Sequence, residues 1–206
     1  IIEDPDKAPA NPMSRMFGSG IELKMNEPIY FTTYNRTSKE NGLAMKEIKK
    51  KGIKKIVEGP YTFGNFMYSK GGKGKKPVFV YARGNFEEGN NLFASYDNFK
   101  TQKQLSDINP QQREYNWGTV ELVNWQTADD IFCEGLLFKP EDFDPNKKYP
   151  VMIYFYEKNA NTLYRHRNPT PSRSTVNIPY FVSNGYVVFV PDVYFTDGHP
   201  GQSAMK

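Results

Sequence analysis

Near its end the chain reads Gly198-His199-Pro200-Gly201-Gln202-Ser203, which brings an imidazole and a hydroxyl close together. Acyl transfer by serine needs more than proximity: the nucleophile sits on a sharp strand-to-helix turn, in a Gly-x-Ser-x-Gly setting, with a histidine base and an aspartate that orients it. Ser203 lacks both that spacing and a directly preceding apolar strand, so it is not expected to be a nucleophile. His199 has no second histidine on a shared helical or strand face, which argues against zinc. His166, between Arg165 and Arg167, reads as a surface loop histidine. Glu87-Glu88 beside Gly89 reads as a solvated turn, and Lys70, Lys73, Lys75 and Lys76 lack the spacing of a phosphate-binding loop. Cys133 is the single cysteine, so an internal disulfide and a multi-cysteine metal site are excluded, and its strand setting predicts a buried, inert thiol. No metal and no cofactor is expected from these residues.

Composition narrows the class further. The 206 residues suffice for one large domain or two small ones. A mean hydropathy of -0.70 and the lack of any apolar run near the roughly 18 residues of a spanning helix argue against a helical membrane protein. The chain begins Ile1-Ile2-Glu3-Asp4, so a targeting signal is expected to have been removed or to lie upstream. Charge is uneven: residues 1–115 carry 19 Lys and Arg against 13 Asp and Glu, a net of +6, while residues 116–206 carry 8 against 10, a net of -2. The excess sits in two clusters, Lys49 to Lys55 and Lys70 to Lys76, beside glycines. They read as solvated hairpin tips, with an anionic partner as the alternative.

The elements that must position any chemistry fall into two regions. Residues 1–27 are Pro-rich and aperiodic. From Pro28 to Ile108, short apolar or alternating runs recur at intervals of roughly 10–14 residues, with turn residues between them and no helical pattern. They are Ile29–Tyr34, Leu43–Ile48, Ile53–Val57, Phe63–Tyr68, Pro77–Ala82, Asn91–Tyr96 and Lys103–Ile108. The pattern predicts an all-β meander, its last four strands forming one propeller blade and the first three most of another. Two blades leave open edges, so more chain is expected upstream. After Trp117 the period changes. Val120–Trp125 and Phe132–Phe138 predict a hairpin, Val151–Tyr156 a strand buried on both faces, Asn177–Asn184 a helix capped by Asn177, and Tyr186–Val190 a second buried strand. Strand, helix and strand in that order imply a parallel crossover, the opening of a three-layer α/β domain.

The runs Trp117-Gly118-Thr119-Val120-Glu121-Leu122-Val123, Glu134-Gly135-Leu136-Leu137 and Pro145-Asn146-Lys147-Lys148-Tyr149-Pro150-Val151 resemble the prolyl oligopeptidase family of serine peptidases, which includes dipeptidyl-peptidase-IV-like and acylaminoacyl-peptidase-like enzymes. The resemblance implies the C-terminal blades of a β-propeller over residues 1–115. It implies the N-terminal part of an α/β-hydrolase peptidase domain over 116–206, cut before the nucleophile elbow. It further implies a serine-type peptidase that hydrolyses short peptides by acyl transfer, its Ser, Asp and His lying beyond Lys206, so that the segment alone is inactive. In dipeptidyl-peptidase-IV-like members a tyrosine directly after the first buried strand donates its hydroxyl to the oxyanion; Tyr156 occupies that place. Here the small, Gly-containing stretch usual in the family is replaced by Glu157-Lys158-Asn159-Ala160, and a strand-end packing role for Tyr156 is the alternative. The family's substrate-amine clamp is not expected at Glu87-Glu88, a late hairpin turn. A short peptide is the implied partner, with neither nucleic acid nor membrane, and the oligomeric state is left open. A periplasmic or secreted location is expected, with the cytoplasm as alternative. Two other readings stand: a non-catalytic β-rich module that binds an anionic partner through its basic turns, and an esterase-like α/β hydrolase.

Overall fold

The computed structural model describes residues 27–69, 77–127 and 130–203. Within them the protein is β-rich and forms three sheets: β1-β2-β3, the meander β4-β5-β6-β7, and a mixed sheet in the order β10-β11-β9-β8. The first comprises β1 (Pro28–Tyr34), β2 (Asn41–Glu47) and β3 (Lys54–Gly59). The meander comprises β4 (Thr62–Ser69), β5 (Val78–Gly84), β6 (Asn91–Ser95) and β7 (Lys103–Gln104). Every strand in these two sheets pairs antiparallel with its sequence neighbour. Each hairpin therefore forms from nearby chain, and loop closure costs little. The run expected to extend to Ile108 pairs only at Lys103 and Gln104. The Asn91 side chain accepts from the Ile108 amide and from Ser106 Oγ, and so draws the chain away from the ladder. A 3₁₀ turn at Pro110–Glu114, not expected from the sequence, then leads into the third sheet.

These two sheets share an aromatic core. Leu43 of β2 packs with Phe79, Tyr81, Phe93 and Phe99, all at most 6% exposed. Tyr81 lies 4.8 Å from Phe99 and 5.7 Å from Phe66, within the range in which aromatic pairs add to simple burial. Of the polar atoms that go inside with them, Thr33 Oγ1 and Arg83 Nε lack a partner, whereas those of the β6–β7 turn are satisfied. Ser95 Oγ, fully buried, accepts from the Phe99 amide, and Asp97 accepts from both the amide and the hydroxyl of Thr101, which closes the β6–β7 turn.

The mixed sheet comprises β8 (Thr119–Gln126), β9 (Phe132–Lys139), β10 (Val151–Ile153) and β11 (Val187–Pro191). Helix α1 (Ile178–Ser183) lies between β10 and β11, which pair in parallel, as the expected crossover requires. Asn177 caps α1 by accepting from the Tyr180 amide, Pro179 occupies the first turn, and Gly185 at φ 80° ends it. Gly118 (φ 82°) starts β8 where an added Cβ would strike the Lys139 carbonyl and the Val182 side chain, so the approach of β8 to α1 demands glycine. Leu136, Phe138, Val188 and Val190 of the sheet bury against Val182 and Ile178 of α1.

The expected extent and burial of one strand are corrected by the structure. β10 spans only Val151–Ile153, not through Tyr156, and it is not buried on both faces: Val151 and Ile153 are 58% and 57% exposed. The reason is topological. β10 is the edge of the sheet, paired with β11 alone among the described residues, and its run alternates: Met152 and Tyr154 pack on the core face, while Val151 and Ile153 lie on the opposite, open face.

The meander and the mixed sheet are joined by packing as well as by the chain. Phe86, in the β5–β6 turn of the meander, is 1% exposed and belongs to the core of the mixed sheet, its ring 5.0 Å from Phe138. Trp117 Nε1 donates to the Phe86 carbonyl at 2.6 Å. The first sheet meets the mixed sheet too: Lys39, in the β1–β2 turn at φ 61°, donates to Glu134 of β9 at 2.6 Å and to the Arg36 carbonyl at 2.8 Å. Tyr164 Oη donates to the Ser38 carbonyl nearby.

Candidate functional site

In open α/β sheets ligands bind beyond the carboxyl ends of the strands, so the ends of β10 and β11 are where chemistry is sought. Pairing continues one bond past β10, where the Tyr154 amide donates to the Phe189 carbonyl at 3.0 Å. Phe155 and Tyr156 then leave the sheet, 61% and 71% exposed. Among the described residues the Tyr156 hydroxyl makes no hydrogen bond and its ring joins no aromatic pair. Glu157 turns the chain with φ 51°, a left-handed conformation rare outside glycine.

The loop after Tyr156 is held from β11. Asp192, the residue next after that strand, is 6% exposed; its carboxylate accepts from the Asn159 amide at 2.5 Å and the Ala160 amide at 2.8 Å. The Val193 amide donates to the Glu157 carbonyl at 3.0 Å, and Asn159 Nδ2 donates to the Tyr156 carbonyl at 2.9 Å. The β1–β2 turn closes the opposite side. Tyr34 is pushed above the ordinary tyrosine value by burial, opposed by the Lys39 charge and reinforced by Glu134 and Asp192. Tyr194 is raised by burial and then by Asp192, Cys133 and Glu134. Tyr34 and Tyr194 thus both feel the Glu134 and Asp192 carboxylates, with Lys39 paired to Glu134 at 2.6 Å and Lys158 Nζ 4.4 Å from the Tyr194 ring.

The other residues weighed from the sequence lie elsewhere. Ser203 Oγ donates to the His199 carbonyl at 2.8 Å and receives the Thr196 amide at 2.9 Å, which makes it part of a turn. His199 is exposed in that same turn. Cys133 is 5% exposed, and burial pushes its thiol up, so the thiolate that reagents attack is suppressed. Glu87 and Glu88 are exposed, their amides both taken by Asn85 Oδ1. Lys49, Lys50 and Lys51 lie exposed in the β2–β3 turn, whereas the cluster Lys70 to Lys76 lies outside the described residues.

The expectation for His166 is corrected. It is a half-buried ring rather than a surface one, stacked on Trp117 at 5.5 Å and 13°, with Nε2 bonded to Gln112 Oε1 at 3.0 Å. Burial lowers its pKa. The sequence hides this because the stacking partner lies far off in the chain. The pair borders a cavity of about 730 Å³ with Tyr115, Asn177, Tyr180 and Asn184, but no carboxylate lines it, so nothing there orients His166 as a base.

Sequence reasoning misses Asp192 and the Lys39–Glu134 pair. A carboxylate directly after an apolar strand, Pro191-Asp192, is a usable signal for the first. The second joins residues 95 apart and has none.

No family model matches the chain, and no curated protein matches it by sequence. Solved structures do match it in shape. The AtxE2 isopeptidase in its apo form aligns with TM-score 0.57 at 15% identity, over 82% of this chain and 24% of its own. The dipeptidyl peptidase 4 of Porphyromonas gingivalis gives 0.54 at 16%, over 82% and 23%. The acylaminoacyl peptidase of Pyrococcus horikoshii gives 0.51 at 16%, over 87% and 26%. What these alignments define is a fold, shared with a set of peptidase structures. Within it, the chain is similar to about a quarter of each of these proteins.

Proposed function

We propose that the chain is the part of a serine-type peptidase in which the last strands of a β-propeller, residues 1–115, meet the opening strands of an α/β-hydrolase domain, residues 116–206. Such an enzyme hydrolyses short peptides by acyl transfer. Its Ser, Asp and His would lie C-terminal to Lys206, and Tyr156 would donate a hydrogen bond to the oxyanion. The observation that carries this reading is the succession of an antiparallel meander and a mixed sheet with a parallel crossover, which aligns over 82% of the chain with a dipeptidyl peptidase and 87% with an acylaminoacyl peptidase. The exposed apolar edge Val151–Ile153 supports it too, since an apolar edge strand left open is a site of unwanted pairing and calls for a further strand.

Tyr156 suits the role chemically. Its hydroxyl, engaged by no other described residue, is free to donate to a developing negative charge, and such a donor is worth on the order of 10²–10³ in rate. The test is covalent labelling of the complete protein with a fluorophosphonate probe, alongside hydrolysis of chromogenic dipeptides. One labelled serine in a Gly-x-Ser-x-Gly setting after residue 206 is expected, with no labelling of the 206-residue chain alone. A label on Ser203 or any other serine within residues 1–206, or none anywhere, would refute the reading.

A further inference from the structure

We infer that Asp192 is the positioning residue of this site: its carboxylate, by gripping the chain after β10, sets where Tyr156 stands. The inference rests on the oxyanion role proposed for Tyr156. That tyrosine is not held by its own side chain. Its ring is 71% exposed, and among the described residues it makes neither a hydrogen bond nor an aromatic contact. Only its backbone can fix it, and β10 has already ended at Ile153.

The hold comes from the end of β11. Asp192 Oδ1 accepts two successive amides, of Asn159 at 2.5 Å and Ala160 at 2.8 Å. Asn159 in turn bonds back to the Tyr156 carbonyl at 2.9 Å, and Val193, beside Asp192, secures the Glu157 carbonyl at 3.0 Å. Two neighbouring residues at one strand end therefore clamp residues 156–160. Ala160, only 1% exposed, anchors the far end of the loop. Charge-assisted bonds from amides to a buried carboxylate are about twice as strong as neutral ones, which suits a clamp on irregular backbone. The chemistry also explains why a carboxylate is buried at all. Asp192 makes no ion pair among the described residues, and its own amide is bonded to the Glu134 carbonyl at 2.8 Å, so the loop amides are what its charge answers to.

The test is a double-mutant cycle in the complete enzyme between Asp192 and Tyr156, with thermal melts to verify folding. Asp192→Ala should lower kcat at least tenfold with KM within a factor of about two, because the misplaced donor acts on transition-state charge. In the Tyr156→Phe background the same change should cost less than about threefold more, since the hydroxyl it positions is already gone. Asp192→Asn keeps an acceptor at the same place and should restore most of the turnover. If Asp192→Ala does not fold, Asp192→Glu runs the same cycle, because one added methylene shifts the clamp. Wild-type turnover in Asp192→Ala or Asp192→Glu, or a loss that adds fully to that of Tyr156→Phe, would overturn the inference while leaving the role of Tyr156 standing. Wild-type turnover in Tyr156→Phe would sink that role itself, and the inference with it.

Discussion

The meander β4–β7 and the mixed sheet β8–β11 each have four strands, yet they use buried polarity in opposite ways. In the meander the buried polar groups close turns: Ser95 and Asn91 each bond within their own hairpins, with the half-buried Asp97 beside Ser95. Its core is aromatic, and its register is set by local pairing. In the mixed sheet the buried carboxylate Asp192 instead reaches 32 residues back along the chain to hold an irregular loop, and the apolar edge strand beside that loop is exposed. One sheet turns its polar groups on itself. The other uses one to hold the irregular loop that follows its edge strand.

The sharpest way to probe this contrast is at the joint between the two regions. Phe86→Ala removes a ring of the meander that is buried in the core of the mixed sheet, and should cost about 3–5 kcal/mol, read as a lowered denaturation midpoint. Phe132→Ala, with its ring 61% exposed on β9, should cost less than about 0.5 kcal/mol in the same titration. Equal effects would mean that Phe86 does not tie the regions together. Next comes the pair between Lys39 and Glu134, whose side chains are 6% and 21% exposed. Lys39→Met strands a carboxylate and should cost about 3 kcal/mol, whereas Lys39→Met with Glu134→Leu should regain most of it. A double variant as unstable as the single one would argue against a desolvated pair.

The Trp117–His166 stack predicts a pH effect of definite sign. Burial depresses His166 in the fold, so the unfolded chain holds the proton more tightly, and stability is lost as pH falls below the ordinary histidine value of 6.5. Urea midpoints should drop between about pH 7.5 and pH 5.5, and the drop should shrink in His166→Phe. An unchanged slope would assign the acid sensitivity to other groups. The smallest effect is expected at the open edge: Ile153→Thr should change the stability of the 206-residue chain by under about 0.5 kcal/mol, because its side faces outward. A loss above about 1 kcal/mol would mean that this face is covered.

Much of this contrast is legible in the sequence, for reasons that differ by region. The meander announces itself because alternation and turn residues are local signals, and each strand from Ile29 to Tyr96 lies within a few residues of its expected place. The crossover is legible because α1 carries its own start and stop signals in Asn177, Pro179 and Gly185. The features that escape the sequence depend on partners. The run from Val151 to Tyr156 looks buried on both faces because apolarity marks a strand but not its neighbours, and only the sheet order shows β10 at an edge. His166 looks like a surface residue between two arginines, although Arg167 beside it is itself half-buried, its guanidinium 5.4 Å from the Phe138 ring and its pKa lowered to about 10 by desolvation. Tyr156 stands out by its position after a strand, while the clamp that holds it, 36 residues further on, emerges only from the folded chain.

The central claim is that Tyr156 serves the transition state, and its hydroxyl is the most direct thing to remove. Steady-state hydrolysis of a chromogenic dipeptide by the complete enzyme should show Tyr156→Phe with kcat lowered on the order of 10²–10³ and KM nearly unchanged, because an oxyanion donor acts on charge that the bound substrate has not yet developed. The melting temperature should stay close to that of wild type, since an exposed hydroxyl without a partner among the described residues carries no stability. A Tyr156→Phe enzyme with wild-type kcat, or one whose loss appears wholly in KM, would contradict the account.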